Sequence, residues 1–331
     1  MATIFLTHSH DARMRYYGDK ALAGLRQLAD VRLNETGREL DGDELIDAAR
    51  GCEVIVSYRQ SPGRAELFRS LPDLVAFCRC AVDIRNVDVA AASGQGVLIT
   101  QAGPGFMASV SEWVIGVMIA LSRQITVSAQ AYQSGQVPVP VMGRELRGAT
   151  LGIIGYGQIS RYLCQLGLAL GMRVTVSDPY ANVSGPAIAQ LPLPELLAGA
   201  DYLVCLAVAT DETENLMDAQ AFARMKPGAF FINPSRGNLV DEAALLQALD
   251  SGRLGGCAID VGRAPDQMPT PALAQHPKVI ATPHLGGLTP PAIEFQALQT
   301  VSQVADILLG KAPEGSVNAA WASRLARMRS P

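Results

Sequence analysis

Short apolar runs and amphipathic stretches alternate along most of the chain. In the first hundred residues ATIFLT, VRLN, CEVIVS, LVAFCR and GVLIT have the length and β-branched content of strands. Pieces between them, such as DELIDAAR and NVDVAAASGQ, suit helices or turns. The rhythm returns in LGII, DYLVCLAV, AFFINPS, GGCAIDV and VIATPHLGG, with a helix predicted over Asp241 to Leu249 whose first turn is acidic, as the helix dipole prefers. Alternation of this kind predicts parallel sheets covered by helices, an α/β chain. Between the halves, Gly103, Pro104 and Gly105 punctuate the chain, and a strongly apolar helix is predicted from about Ser109 to Arg123. So apolar a helix must be buried on several faces, under the following domain or against a second subunit. It is too short to span a membrane, and it contains Glu112. QSGQVPVPVMGRELRG is expected to run as an extended, Pro-rich loop into the strand at residue 151. The last helix, 292–309, stops at Gly310, and the tail from Lys311 is expected to return to the first domain.

A length of 331 residues suggests two domains, each with enough chain for its own core. With 49% hydrophobic and 18% charged residues, a folded globular chain is expected. A formal net charge of −4 argues against nucleic acid as a partner. The opening MATIFLTHSHDARMRYYGDK has no basic region before its short apolar run, and no segment reaches the span of a bilayer, so a cytoplasmic chain without membrane partners is the expectation. Six cysteines without a CxxC pair fit reduced, mostly buried thiols, and Cys78 and Cys80 fit a strand. His8 and His10 follow the first strand without a matching ligand set elsewhere, so no metal site is predicted.

The most informative stretch is LGIIGYGQISRYLCQLGLALGMRVTVSDPY, residues 151–180. A buried strand runs into Gly155, Tyr156 and Gly157; Ile159, Leu163, Leu166 and Leu170 then recur at helical spacing, and Met172 to Ser177 makes a second strand ending on Asp178. Gly155 permits the tight turn, and Gly157 permits close approach of a pyrophosphate. Its charge would meet the N–H groups of Gln158 and Ile159 and the positive end of the helix they begin. Ser160 stands where a third glycine is usual and adds little bulk. Asp178 can accept hydrogen bonds from both hydroxyls of an adenosine ribose, and its charge repels a 2′-phosphate, which favours NAD over NADP. No Arg follows it; the next residues are Pro179 and Tyr180.

Candidate chemistry clusters at predicted strand ends, where open α/β sheets collect ligands. Arg236 lies in a strand-to-helix loop, Asp260 ends the next strand and His284 the one after, all on the expected cofactor side of one sheet. In the first domain Tyr58, Arg59 and the stretch from Arg79 to Arg85 follow strands; these basic side chains either meet an anionic substrate or are solvated surface.

With these residues in view, the chain resembles the D-isomer-specific 2-hydroxyacid dehydrogenases over nearly its full length. GYGQIS with SDPY, ATDET, NPSRGNLVDEAAL, GCAIDV and ATPHLGG carry the likeness. The resemblance implies two Rossmann/flavodoxin-like domains with parallel sheets. A nucleotide domain, 102–286, would be inserted into a discontinuous substrate domain of 1–101 plus 287–331. It implies a cleft between them, with NAD beside a 2-keto or 2-hydroxy acid, and a homodimer formed through the crossing helix. Arg236 matches the family's catalytic arginine, whose fork of donors would hold the substrate carboxylate and polarise the carbonyl. His284 matches its histidine, the general acid in reduction and base in oxidation. Asp260 matches the residue near the nicotinamide carboxamide; Thr210 and Asn233 fall in loops that line the cofactor. Backbone N–H groups of Val82 and Asp83 would hold the substrate carboxylate, as the family's loop does.

Two departures change the picture. Pro265 stands where the family carries the carboxylate that orients the histidine, and we assign that role to the neighbouring Asp266. In CAVDIRNVD, Ala81, Asp83 and Arg85 replace residues that are often Gly, Gly and Asp, so side chains crowd or charge the substrate wall and the usual small or phosphorylated acids do not carry over. No regulatory domain is expected after the last helix. Two readings compete with the dehydrogenase: a dinucleotide-binding sensor of the corepressor kind, and a hydride-transfer enzyme for a small anion such as formate or phosphite.

Overall fold

The computed structural model describes residues 2–183 and 185–328, with the backbone alone at Asp266. The chain divides into two compact units, Met1–Gly105 with Pro290–Pro331, and Phe106–Thr289. These exchange points fall a few residues beyond the 101/102 and 286/287 borders expected from sequence.

The first unit is a five-stranded parallel sheet of β1 (Thr3–Leu6), β2 (Asp30–Leu33), β3 (Val54–Ser57), β4 (Ala76–Arg79) and β5 (Leu98–Gln101), in the order β2-β1-β3-β4-β5. β3 and β4 are buried on both faces, which is why their sequences are unbroken apolar runs rather than alternating ones. Side chains nevertheless divide with period two. Ile4, Leu6, Val54, Val56 and Cys78 pack with the helices Asp19–Leu28 and Pro290–Leu308, while Phe5, Ile55, Phe77 and Ile99 pack with Gly42–Ala49 and Ala65–Ser70. The C-terminal tail closes on the same sheet. Asn318 accepts the Ile99 N–H at 2.8 Å and donates to the Val97 carbonyl at 3.0 Å, and Arg324 donates to the carbonyls of Leu71 and Leu74.

The second unit is a seven-stranded parallel sheet of β6 (Thr150–Ile154), β7 (Arg173–Ser177), β8 (Ile188–Gln190), β9 (Tyr202–Cys205), β10 (Ala229–Asn233), β11 (Leu254–Ile259) and β12 (Val279–Ala281). Its order is β12-β11-β10-β9-β6-β7-β8, so the chain leaves β6 in one direction and resumes on its other side at β9. That reversal is the switch point at which open parallel sheets take ligands outside their carboxyl ends. The edge strand β8 has no apolar alternation and is mostly exposed, so the sequence pattern gives no sign of it.

The apolar helix begins at Met107, slightly earlier than expected, and runs to Arg123. It buries Val114, Val117 and Met118 over the same face of the β6–β10 sheet as Leu163 and Cys164 of the helix Gln158–Ala169. Gln124 is left-handed at φ 50°, and a second helix, Ile125–Gln133, leaves at 69°. Among the described residues no single helix is long and apolar enough to cross a membrane. All six cysteines are unpaired and buried.

Candidate active site

The turn after β6 has a shape that its glycines dictate. Gly155 has φ 90°, and a Cβ there would lie 2.7 Å from the Leu206 carbonyl oxygen, so no other residue fits. Gly157 differs: a Cβ on it would meet nothing within 4 Å, and it starts the helix Gln158–Ala169 without a side-chain cap. The first N–H groups of that helix, at Gln158 and Ile159, are therefore approachable by an anion. Ser160 is buried, and its hydroxyl finds no partner among the described residues. Asp178, just past β7, accepts the Tyr156 N–H at 2.7 Å on one oxygen and those of Tyr180 and Ala181 at 2.8 and 3.0 Å on the other. Three donors leave a carboxylate with acceptor capacity to spare, enough for ribose hydroxyls. Turn, open helix end and acidic strand end together fit NAD. Thr210 follows β9 and caps the short turn Asp211–Thr213, its N–H bonding Thr213 Oγ1 at 2.8 Å.

Three adjacent strands carry the remaining groups. β10 ends on Asn233, which is buried and spends its amide locally: Oδ1 accepts the Ser235 N–H at 3.1 Å and Nδ2 donates to the Arg236 carbonyl at 2.8 Å. Ser235 Oγ donates to the Ala207 carbonyl at 2.9 Å. Asn233 thus shapes the loop that presents the half-buried Arg236. Gly237 lies so close to Gly262 that a Cβ would overlap that residue's backbone.

Asp260, only 2% exposed at the end of β11, organises the third loop. Its Oδ1 accepts Thr282 Oγ1 at 2.5 Å and the Leu285 N–H at 2.8 Å; Oδ2 accepts the Gly286 N–H at 2.7 Å. Its carbonyl accepts the His284 N–H at 3.0 Å. His284 sits at φ 52°, a left-handed conformation that costs a non-glycine residue about 1 kcal/mol or more and persists only where its surroundings enforce it. A Cβ on Gly286 would crowd Asp260 Oδ2 at 2.9 Å, so the clamp also requires that glycine. Burial raises the Asp260 carboxyl above the ordinary aspartate value, partly offset by the bonds from Thr282, Gly286 and Leu285. The loop after β11 turns through Pro265–Gln267, with Gln267 also left-handed at φ 61°. The side chain of Asp266, to which the sequence reading gave the orienting role, lies outside the described residues.

The four candidate substrate residues belong to the first unit, at the carboxyl ends of β3 and β4. Tyr58 is buried, with ring centroids of His8 and Tyr16 at 5.0 and 5.5 Å. Arg59 is half-buried, Val82 follows β4 within the same stretch, and Asp83 forms an ion pair with Arg85 at 2.5 Å. Arg79 is not the solvated surface group that one reading allowed: it is 0% exposed. Its guanidinium donates to the Tyr58 carbonyl and to Asn86 Oδ1. His8 is equally buried, and desolvation, with the charge of Arg79 second, pushes its imidazole down to about 3, so it is neutral at working pH. Sequence reasoning missed this pair; the usable signal was a basic residue enclosed by apolar strand positions in VAFCRC. No cluster of metal-ligating side chains occurs among the described residues.

Residues 115–286 match the family model described as D-isomer specific 2-hydroxyacid dehydrogenase, NAD binding domain. The D-3-phosphoglycerate dehydrogenase of Synechocystis sp. is 31% identical over 300 residues, 89% of this chain and 53% of that protein. The enzyme of that name from Rattus norvegicus is 33% identical over 287 residues, 85% of this chain and 54% of its own length. The chain thus spans about half the length of these curated relatives. Among solved structures, the TT0316 protein from Thermus thermophilus superposes with a TM-score of 0.85 at 27% identity, covering 95% of this chain and 99% of that one. D-2-hydroxyisocaproate dehydrogenase, at 22% identity, shares the fold with a TM-score of 0.86, covering 96% of this chain and 100% of that one.

Proposed function

This chain belongs to the D-isomer-specific 2-hydroxyacid dehydrogenases, and from that premise we propose that it is an NAD-dependent oxidoreductase interconverting a 2-oxo acid and a D-2-hydroxy acid. The observation that carries the reading is the sheet order: β10, β11 and β12 are neighbours, so Arg236, Asp260 and His284 leave adjacent carboxyl ends of the sheet that begins with the nucleotide turn. NAD, when bound, supplies or accepts the hydride. Gly155 and Gly157 would admit its pyrophosphate, the N–H groups of Gln158 and Ile159 would meet the phosphate charge, and Asp178 would take the ribose hydroxyls. Thr210, Asn233 and Asp260 would line the cofactor from the loops after β9, β10 and β11. Arg236 holds the substrate carboxylate and draws electron density from the carbonyl oxygen. His284 delivers a proton to that oxygen in reduction and removes one in oxidation. Asp266 orients His284 in place of the carboxylate that Pro265 displaces. In the first unit, Tyr58, Arg59 and the N–H groups of Val82 and Asp83 are the candidates for binding the acid.

The test is a panel of 2-oxo acids, of hydroxy acids including D-3-phosphoglycerate, and of formate and phosphite, followed by nicotinamide absorbance with NAD(H) and NADP(H) side by side. Turnover with a preference of at least about tenfold for NAD(H) is expected from the charge of Asp178, and Asp178→Asn narrows it. Dinucleotide binding without turnover of any acid would move the assignment to a sensor, and activity confined to formate or phosphite to the small-anion class.

The same reading makes the protein a homodimer. Ile125, Val127, Tyr132, Val137, Val139 and Met142, the last 96% exposed, are all exposed on the helix Ile125–Gln133 and the loop after it. Water contact with so many apolar side chains is costly, and a second copy of the chain relieves it. Sedimentation should give a dimer at micromolar concentration that Val139→Asp with Met142→Asp converts to monomer. A monomeric parent protein would remove this assignment.

A further inference from the structure

The four residues Asp260 to Arg263, which leave β11, touch both loops that carry the proposed chemistry. Asp260 clamps the loop of His284. Gly262 and Arg263 reach the loop of Arg236. Gly237, next to Arg236 in the chain, lies against Gly262 so closely that a Cβ on it would overlap the Gly262 carbonyl group. Gly262 in turn faces the following turn, where a Cβ on it would lie 2.6 Å from the Met268 carbonyl oxygen. Two backbones therefore meet with no side chain between them, and a shift of one is passed directly to the other.

Arg263 secures that contact. Its Nη2 donates to Glu214 Oε1 at 2.8 Å, to Asn215 Oδ1 at 2.6 Å and to the Asn238 carbonyl at 3.0 Å, and its Nε donates to the Val240 carbonyl at 3.2 Å. Its backbone N–H donates to Glu242 Oε1 at 3.1 Å, and Glu242 Oε2 accepts Thr270 Oγ1 at 2.7 Å. Glu214 and Asn215 follow β9, Asn238 and Val240 follow β10, and Arg263 follows β11, so one side chain joins the loops of three neighbouring strands. Those loops also meet each other. Asn215, left-handed at φ 52°, donates its N–H to the Asn238 carbonyl at 2.9 Å, and Asn238 Nδ2 donates to Glu214 Oε2 at 3.0 Å. The Arg263 guanidinium, with Asn238 second, holds the Glu214 carboxyl below the ordinary glutamate value.

Folding stability alone is a poor reason for this arrangement. The Arg263 and Glu214 side chains are 36% and 43% exposed, and ion pairs so open to water add little to folding. β9, β10 and β11 are already joined by their own ladders. The ladders leave undetermined where the loops beyond them sit, and there a planar fork with several donors fixes direction as well as distance. We propose that Arg263 is a positioning residue for the reaction: through Gly262 and Gly237 it sets the place of Arg236 relative to Asp260, and so to His284. This rests on the assignment of Arg236 and His284 to the reacting acid, and it adds that both loops take their positions from one short segment after β11.

The experiment is a double-mutant cycle on the full chain, with kcat, KM for the best acid of the panel and NADH affinity measured well below the melting temperature. Arg263→Ala should lower kcat/KM about ten- to a hundredfold, the loss shared between kcat and KM, with NADH affinity within about threefold of wild type. In an Arg236→Lys background the same substitution should cost less than about threefold, because the group it positions is already compromised. Arg263→Lys keeps a charge for Glu214 but not the fork, and most of the loss should remain. Hydrogen exchange at the Asn215 and Val240 N–H groups should accelerate in Arg263→Ala. A variant that only melts earlier, with wild-type kcat and KM, would overturn the proposal. So would an equal loss in both Arg236 backgrounds, or a parallel fall in NADH affinity. Should Arg263→Ala not fold, by circular dichroism, Arg263→Lys decides: a kcat/KM loss with NADH affinity kept supports the role, and wild-type kinetics refute it. A wild-type protein that turns over an acid while Arg263→Ala matches it removes this inference alone. A wild-type protein that binds NADH but turns over no acid removes the functional reading, and this role with it.

Discussion

Replacing His284 with Asn should lower kcat by about 10² to 10⁴-fold, the usual contribution of a positioned general acid or base, with NADH affinity within a few fold of wild type. The proton that completes reduction must reach the substrate oxygen as hydride reaches carbon, and Asn supplies a hydrogen bond but no proton. Arg236→Lys should act differently. A lysine keeps one positive charge and loses the planar fork, so the loss falls on KM as well as kcat. Stopped-flow measurement of a single turnover separates these effects from product release. A His284→Asn protein with wild-type turnover would end the assignment of that residue, however well the nucleotide half binds. Asp266→Asn belongs in the same series: an unchanged pH–rate profile with unchanged turnover would remove Asp266 from the mechanism.

The second large effect is expected from Asp260→Asn, through the conformation of its neighbour. The carboxylate takes three donors from the 282–286 loop, and its backbone carbonyl takes the His284 N–H. An amide keeps one acceptor and turns an N–H₂ group toward N–H donors, leaving at least one buried donor unpaired at a cost of about 1–3 kcal/mol. The left-handed backbone at His284 then loses the contacts that enforce it, and we expect kcat to fall on the order of 10²-fold, since misplacement by about 1 Å is enough for such a loss. Stability should change less. Burial raises the Asp260 carboxyl, so its ionised form is held at a cost to folding that sets in as pH rises past the ordinary aspartate range. The neutral amide removes that cost while forfeiting acceptors, and the two changes oppose each other. Hydrogen exchange at Leu285 and Gly286 should accelerate in the variant. If exchange and kcat stay at wild-type values while only NADH affinity falls, Asp260 is a cofactor ligand and not a clamp.

Much of the molecule is legible in its sequence because the signals are local. A buried parallel strand must be apolar on both faces, so β1, β3, β4 and β5 appear as short unbroken runs whatever their neighbours. The nucleotide turn is likewise written within thirty residues: only Gly fits at Gly155, an uncapped helix follows Gly157, and an acid stands where β7 ends. Arg236 and His284 stand out through their loops and the family likeness, which singles out residue types at strand ends but not their backbone geometry.

What the tertiary structure alone decided has a common physical cause: it depends on groups far apart in the chain and on which of them lose contact with water. Asp260 acts on residues 22 to 26 positions away, so its double hold on the His284 loop exists only once β11 and β12 pair. Arg79 looks like any basic residue at a strand end until helices on both faces close over β4. Its charge then becomes a buried one, with Tyr58 and Asn86, 21 and 7 positions away, as its oxygen partners. Composition and periodicity set which segments can be strands and where a dinucleotide can rest. Burial and long-range hydrogen bonding set which side chains hold the others in place.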